Sequence, residues 1–191
     1  MNRRKAIKNI LALSVLGGAG YAGFRAFELN RSLNASNFLE KKELISDLAD
    51  IIIPQTNTPG ARAAQVEDFI ISVLINCTSN VEQNIFSEGL ENLEKYCDRN
   101  YGKVFSECSI PQRFAVVAQF EKSDLYESKL LNKINNKFFG SSFFTKLKDL
   151  TVQGYCNSSL GATEGLAYNF IPGHFAACIP LTPNQKSWAT K

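Results

Sequence analysis

Three glycines near the N-terminus form a motif that could bind a nucleotide. Gly18, Gly20 and Gly23 have the G-x-G-x-x-G spacing that lets a tight turn approach a dinucleotide pyrophosphate. Glu40 follows 22 residues after Gly18, at the separation expected of an acid that binds the ribose hydroxyl. The motif raises the hypothesis of a nucleotide-binding oxidoreductase.

The residues around the motif do not favour that hypothesis. A dinucleotide-binding fold needs a second strand that ends at the acid. The stretch before Glu40 is polar and rich in asparagine, and only Phe38 and Leu39 are typical of a strand. No alternation of strands and helices follows. The glycines are better explained as part of a targeting segment.

The first 27 residues have the order of an export signal. Arg3, Arg4 and Lys8 precede a run of 16 uncharged residues, Asn9 to Phe24, that ends among small residues. The arginine pair resembles the twin-arginine signal, which exports folded proteins, and Ala22 offers a cleavage site. The run is slightly shorter than the roughly 20 residues that span a bilayer. We therefore expect a periplasmic protein with either a cleaved signal or a retained membrane anchor.

Other residue types that could do chemistry are sparse. His174 is the single histidine and follows a Pro-Gly turn, where a surface role is more common than catalysis. Asp47 with Asp50, and Glu67 with Asp68, could form carboxylate pairs, but on helices such residues usually face solvent or complement the helix dipole. No zinc or haem spacing occurs among the cysteines. We predict no catalytic, cofactor-binding or metal-binding residues on this chain.

The five cysteines bear on disulfide formation. In an exported protein disulfides persist, and the odd number leaves at least one thiol unpaired or bonded to a partner. Cys97 and Cys108 are close enough in sequence to close a short loop, while Cys156 and Cys178 could pair together or cross to a partner. A buried free thiol is at least as good an explanation for Cys77.

Composition limits the function classes. Hydrophobic residues make up 45% of the 191 residues and charged residues 20%, as in a globular protein with a substantial core. The net charge is +3, but a cut after Ala22 removes four cations and leaves 17 basic against 18 acidic side chains. The remaining chain has no basic stripe, which argues against a nucleic-acid partner.

Helical periodicity dominates residues 36–154. The apolar spacing predicts an all-α domain of five or six helices that begin near Ser36, Val66, Val81, Ser109, Ser123 and Ser142. The first must end before Pro54. Leu90 and Leu93 belong to the core face predicted for the third helix, and Phe114, Val117 and Ala118 to one line of the fourth.

The sequence predicts an irregular C-terminal tail over residues 155–191, which contain three of the six prolines. A long segment without periodicity is usually functional or ordered by a partner. Its aromatic residues, of types enriched at interfaces, are candidate partner contacts: Tyr155, Tyr168, Phe170 and Phe175.

The loop after the first helix contains Pro54, Pro59 and Gly60, and it is either a structural corner or a second contact site.

Two stretches of sequence are similar to one protein family. DLADIIIPQTNTPGARAAQVEDFI covers residues 47–70, and LTVQGYCNSSLGATEGLAYNFIPGHFAACIP covers residues 150–180. Together they resemble the gluconate 2-dehydrogenase subunit 3 family, which carries an I-I-P-x-T-x-T-P-G-A block and a G-Y…L-A-Y…P-G…C-x-P ending. Cys156 departs from the pattern, because a hydroxyl or aromatic residue is usual there.

The resemblance implies a non-catalytic small subunit. In that family a large FAD-dependent dehydrogenase oxidises gluconate or a related sugar or alcohol in the periplasm, and a multihaem cytochrome c passes the electrons on. The small subunit is expected to help the flavoprotein mature and leave the cytoplasm, with membrane association through its N-terminus or the complex. The alternative is a free-standing periplasmic or membrane-tethered binding module.

Overall fold

The computed structural model describes residue 20 and residues 23–126, 142–171, 173, 178, 180 and 183–189. The α-helices are α1 (Ser36–Glu40), α2 (Lys42–Ile52), α3 (Val66–Cys77), α4 (Asn80–Tyr101), α5 (Ile110–Tyr126) and α6 (Phe143–Asn157). A 3₁₀ turn (Phe105–Glu107) precedes α5, a π-helical turn (Gly161–Gly165) follows α6, and residues 23–29 are also helical. This part of the chain contains helices and no strands, which confirms the all-α prediction.

Local sequence signals fix several helix ends. The Ser79 hydroxyl accepts a hydrogen bond from the Glu82 backbone, and the Glu82 carboxylate accepts one from the Ser79 backbone, so α4 begins with a capping box. The same helix ends at Gly102, whose φ of 61° is left-handed and suits a glycine. Before α5, the Ser109 N–H donates to Gln112 Oε1 at 2.9 Å. These contacts satisfy backbone groups that have no partner within the helix.

Two predicted helix boundaries were wrong. The single helix expected from Ser36 divides at Lys41 into α1 and α2. The break expected near Ser123 is absent, because α5 continues to Tyr126 and the Ser123 hydroxyl donates back to the Phe120 carbonyl at 2.8 Å. Serine can bond its own helix in this way instead of capping a new one. The helix predicted after Ser123 otherwise falls outside the described residues.

Helix α6 lies at the centre of the domain and packs against α2, α3, α4 and α5. Glycines allow two of these close approaches. A Cβ at Gly154 would lie 2.8 Å from carbons of both Val66 and Phe69, and one at Gly89 on α4 would overlap the side chain of Phe143. Phe86 and Phe143 meet edge to face between α4 and α6, with ring centroids 5.1 Å apart.

The buried residues agree with most predicted helix faces. Leu90 and Leu93 of α4 are fully buried, as expected. The line predicted for α5 was wrong, since Phe114 and Ala118 are exposed and Val116 is buried beside Val117. Apolar residues cover positions 114–118 without interruption, so the sequence pattern does not select one face.

Candidate partner-binding site

The loop between α2 and α3 folds back on its own start. The Ala61 N–H donates to the Ile53 carbonyl at 2.9 Å. A Cβ at Gly60 would lie 2.6 Å from the Gln55 nitrogen, so only glycine fits where the two arms of the loop meet. The Thr56 N–H donates to the Thr58 carbonyl at 3.0 Å. These contacts hold the loop in one compact shape.

Tyr155 ties this loop to the start of the tail. Its hydroxyl donates to the Pro59 carbonyl at 2.7 Å, across 96 residues of sequence. A Cβ at Gly165, in the π-helical turn, would overlap the Tyr155 ring. The Ser158 hydroxyl donates to the Tyr155 carbonyl and accepts from the Gly161 N–H, which fixes the turn. The loop, α6 and the turn therefore form one unit around this side chain.

A buried carboxylate joins the loop to two helices. Asp47 on α2 is 7% exposed and accepts a hydrogen bond from Arg62 of the loop. Arg113 on α5 also approaches Asp47, with 3.3 Å between Nη1 and Oδ1, and its Nε donates to the Cys108 carbonyl at 3.1 Å. Arg62 bonds Glu43 as well, at 3.0 Å. This network holds the loop and α5 against α2.

Three of the four acidic residues considered from sequence are buried or form an ion pair in the structure. Asp47 was expected on a solvated helix face, and it is instead buried and paired with two arginines, while Asp50 is half-buried. Asp68 forms an ion pair with Lys42 at 2.5 Å. Glu67 lies in the first turn of α3, as the dipole argument predicts, but it is buried. Its Oε2 has no hydrogen-bond partner among the described residues.

The predicted loop contacts differ in accessibility. Pro54 is exposed, Pro59 is half-buried and Gly60 is buried. The loop therefore presents its N-terminal arm, residues 54–57, to solvent and uses the rest for anchoring. The anchored part of the loop is a structural corner, and the contact role stays a prediction for residues 54–57.

The tail exposes large apolar side chains next to this unit. A parallel bridge joins Ala167 to Trp188: the Ala167 N–H donates to the Ser187 carbonyl at 2.8 Å, and the Ala189 N–H donates to the Ala167 carbonyl at 2.9 Å. Four exposed side chains flank the bridge, and we call them the tail patch: Tyr168, Phe170, Ile171 and Trp188. Phe170 is 82% exposed. The patch has the composition expected of a protein interface.

Two other aromatic candidates do not belong to the patch. Tyr155 is only 7% exposed, so it positions the site and offers little surface to a partner. Phe175 lies outside the described residues, as does His174. The predicted tail boundary at residue 155 falls inside α6, which continues to Asn157. Ile171 and Trp188 were not predicted, because no periodic pattern marks contact residues in an irregular segment.

All five cysteines are free thiols in the structure, so neither pairing considered within the chain, Cys97 with Cys108 or Cys156 with Cys178, is present, while a bond to a partner chain stays a prediction. Cys97 and Cys108 are both buried and neighbour each other, Cys156 is half-buried, and Cys77 and Cys178 are exposed. Burial, with a further contribution from the neighbouring Cys108 thiol, raises the pKa of Cys97 to about 12. The predicted burial of Cys77 was wrong.

The described residues contain no group of three histidine, cysteine or acidic side chains that could hold a metal ion. Gly23 opens a helical segment and Glu40 ends α1, whereas the dinucleotide hypothesis requires a strand before the acid, so that hypothesis is wrong. In the described ranges, no helix has the length and hydrophobicity needed to cross a bilayer. Arg3, Arg4 and Lys8 of the predicted export signal lie outside these ranges.

Comparison with known proteins gives one result. The model of the family described as gluconate 2-dehydrogenase subunit 3 matches residues 40–173, which include α2 to α6, the loop, the π-helical turn and Tyr168 with Phe170. No curated protein and no solved structure matches the chain. The matched range covers most of the chain, including the α2–α3 loop, α6 and the π-helical turn that meet around Tyr155. The chain belongs to the gluconate 2-dehydrogenase subunit 3 family.

Proposed function

We propose that this chain is a non-catalytic accessory subunit of a periplasmic, membrane-associated FAD-dependent dehydrogenase. The large flavoprotein subunit oxidises gluconate or a related sugar or alcohol, and a multihaem cytochrome c accepts the electrons. FAD and haem reside on those partners, and this chain contributes to assembly and export. Family membership supports the association with a dehydrogenase complex.

The tail patch is the observation that carries the proposal. An exposed cluster of large apolar side chains is costly in water unless a partner covers it. Phe170 and Ile171 are 82% and 74% exposed, next to a turn that Tyr155 fixes to the α2–α3 loop. A preorganised surface loses little conformational entropy on binding. We assign this patch, together with Pro54 and its neighbours in the loop, to the flavoprotein contact.

Export is the second part of the proposal, and it rests on the N-terminal sequence. Arg3, Arg4 and Lys8 supply a twin-arginine signal that transports folded proteins. A flavoprotein folds around FAD in the cytoplasm, so it needs a route that accepts folded cargo. A small subunit that binds the folded flavoprotein and carries the signal provides that route for both chains.

The contact surface can be tested with paired substitutions. We expect Phe170→Ala with Ile171→Ala to lower recovery of the flavoprotein in a C-terminal-tag pull-down by about tenfold or more, because buried apolar anchors dominate interface energies. Phe114→Ala is the matched control, since Phe114 is also exposed but lies on α5. Equal recovery with both variants would show that the tail patch is not the contact.

The export role needs a separate test. Arg3→Lys with Arg4→Lys keeps the charge and removes the arginine pair, so both this chain and the flavoprotein should remain in the cytoplasm. Lys5→Arg is the control and should leave export unchanged. A flavoprotein that reaches the periplasm with the double variant would contradict the escort role. A stable monomer without any flavoprotein would instead favour the free-standing binding module.

A further inference from the structure

Residues 23–31 are built into the helical domain. Arg25 donates to both carboxylate oxygens of Glu88 on α4, with 2.7 Å between Nη1 and Oε1. Leu29 is buried. Asn84 Nδ2 donates to the carbonyl groups of Leu29 and Arg31 at 2.9 and 2.7 Å. Carbonyl groups at a helix C-terminus lack partners within the helix, and this asparagine supplies one.

The contacts also orient the segment. Its N-terminal end lies at Glu88, and its C-terminal end lies at Asn84, one turn earlier on α4, so the two helices run antiparallel. Arg25 and Leu29 face α4, while Phe24 and Phe27 are 62% and 71% exposed. Successive residues of an α-helix are about 100° apart around its axis. The mean direction of Phe24 and Phe27 therefore differs by about 150° from the mean direction of Arg25 and Leu29. The segment therefore has one side on the protein and one apolar side in solvent.

This apolar side continues an apolar sequence. The 16 uncharged residues that follow Lys8 end at Phe24, on the docked helix itself. A helix rises about 1.5 Å per residue, so Phe27 lies only about 5 Å along the axis from the end of that run. If the run enters a bilayer, both phenylalanines must lie at its surface. The cations at positions 3, 4, 5 and 8 would then remain on the cytoplasmic side.

A lipid surface fits the exposed face better than a protein does. Two phenylalanines on a helix of about two turns offer far less than the roughly 800 Å² that each partner buries in a stable protein interface. Lipid requires no matching shape, and a short helix with one apolar side binds the boundary between headgroups and acyl chains. Bulky apolar residues at such a boundary supplement an anchor that is slightly short.

We propose that the N-terminal segment is retained as a membrane anchor, and that Phe24 and Phe27 contact the bilayer surface while Arg25, Leu29 and α4 hold the helical domain against it. The dehydrogenase partner plays no part in this attachment, so the inference does not depend on the proposed function.

The test uses the full chain, expressed alone and reconstituted into vesicles of phosphatidylcholine and phosphatidylglycerol that contain brominated acyl chains. Trp188 is the single tryptophan, so Trp188→Phe removes the background tryptophan fluorescence. Phe27→Trp then reports on the proposed lipid contact, and Phe114→Trp is the matched control on an exposed site of α5. Both substitutions lie at exposed positions, and thermal unfolding verifies that each variant is folded.

We expect the bromolipids to quench Phe27→Trp severalfold more than Phe114→Trp, and the intact mass to include the residues before Gly23. Equal, weak quenching at both positions would overturn the proposal, as would a membrane-derived chain that begins at Gly23. Quenching that disappears when the flavoprotein binds would assign this face to a protein partner and overturn it too. Recruitment is measured on the chain with Trp188 intact, because Trp188 belongs to the tail patch. Strong quenching together with a Trp188-containing chain that recruits no flavoprotein would leave this inference standing and contradict the proposed function.

Discussion

Tyr155 is the side chain on which the shape of the candidate site most depends. Replacing it by phenylalanine keeps the ring against Gly165 and removes the hydrogen bond to the Pro59 carbonyl. A single hydrogen bond contributes about 1 kcal/mol, so Tyr155→Phe should lower the free energy of unfolding by about that amount in urea titration. Tyr168→Phe, at an exposed position, should change it by less than about 0.5 kcal/mol. Equal effects would show that the Tyr155 hydroxyl does not stabilise the loop.

Cys97 should be chemically inert in the folded protein. Its thiolate is the reactive form, and burial beside Cys108 raises its pKa to about 12. With a thiol reagent at mildly alkaline pH, we expect Cys77 and Cys178 to react at once, and Cys97 and Cys108 to react only after unfolding. Peptide mapping of the labelled sites checks this. Rapid labelling of Cys97 in the native state would contradict its burial.

The raised pKa of Cys97 also predicts alkaline destabilisation. A free thiol ionises near pH 8.5, so above that pH the unfolded chain loses a proton that the folded chain keeps. The free energy of unfolding should therefore fall as the pH rises from about 8.5 towards the folded pKa of about 12. Cys97→Ala should lack this contribution, which a comparison of urea midpoints at about pH 8 and about pH 10 measures. Parallel curves for the two proteins would contradict the shift.

The single residues that hold the site were the hardest to predict. Asp47 has the sequence context of a solvated helix position, yet it is buried because Arg62 and Arg113 arrive from a loop and from another helix. Nothing in helical periodicity reports such long-range pairing. Tyr155 and Gly60 were predicted as partner contacts, and the sequence did not show that they act as anchors inside the domain.

Helices α4 and α6 pack through Gly89, which has no space for a side chain. A methyl group there would overlap Phe143. Alanine favours helices over glycine by about 1 kcal/mol, but overpacking a core costs about 1–3 kcal/mol, so we expect Gly89→Ala to lower the melting temperature.

Asn92→Ala is the matched control for this substitution. Asn92 is exposed on the same helix, so alanine there improves helix propensity without a clash and should leave the melting temperature unchanged or slightly raised. Thermal unfolding of both variants makes the comparison. A Gly89→Ala protein that gains as much stability as Asn92→Ala would show that the two helices can separate without cost.

The start of α4 is joined to α6 by a charge pair that acid should break. Partial burial opposes the charged form of Glu82, but Lys146, at 3.2 Å, and Ser79 stabilise it, so the pKa of Glu82 is lowered overall. Stability from a lowered carboxyl pKa is present above the unfolded value, about 4.3, and is lost as the pH falls through the folded value.

This linkage predicts a pH-dependent difference between wild type and Glu82→Gln. At neutral pH the variant should be less stable by about 1 kcal/mol, and the difference should shrink as the pH falls below about 4. Urea unfolding between neutral and acidic pH measures it. Glu107→Gln, at an exposed position of the 3₁₀ turn, is the control and should change stability little at any pH. A Glu82→Gln difference that stays constant with pH would exclude the charge pair as its source.

Helices were predictable where one apolar face is clear and the ends are marked. The predicted second helix, Val66 to Asn76, matches α3 within one residue. In α5 the apolar positions are uninterrupted, so the sequence does not identify the buried face. At Lys41 no proline or glycine predicts the break between α1 and α2. Both outcomes depend on packing between elements, which a local pattern does not contain.

The described part of the molecule combines a helical domain with two exposed apolar surfaces. The domain joins the α2–α3 loop, α6 and the π-helical turn in one unit around Tyr155, with the tail patch next to it, and it holds residues 23–31 along α4. The first surface is proposed to receive a flavoprotein and the second a bilayer. Its family and helical class could be inferred from sequence, whereas the docking of residues 23–31 could not, because those residues carry no helical pattern long enough to recognise.

Purification of the complex from the native host tests the central claim most directly. A C-terminal tag on this chain should recover a larger protein from the membrane and periplasmic fractions, with the visible absorbance spectrum of a bound flavin. The accessory-subunit assignment predicts that the flavin remains with the large chain after the two are separated. Recovery of this chain alone, or of flavin bound to this chain itself, would contradict it.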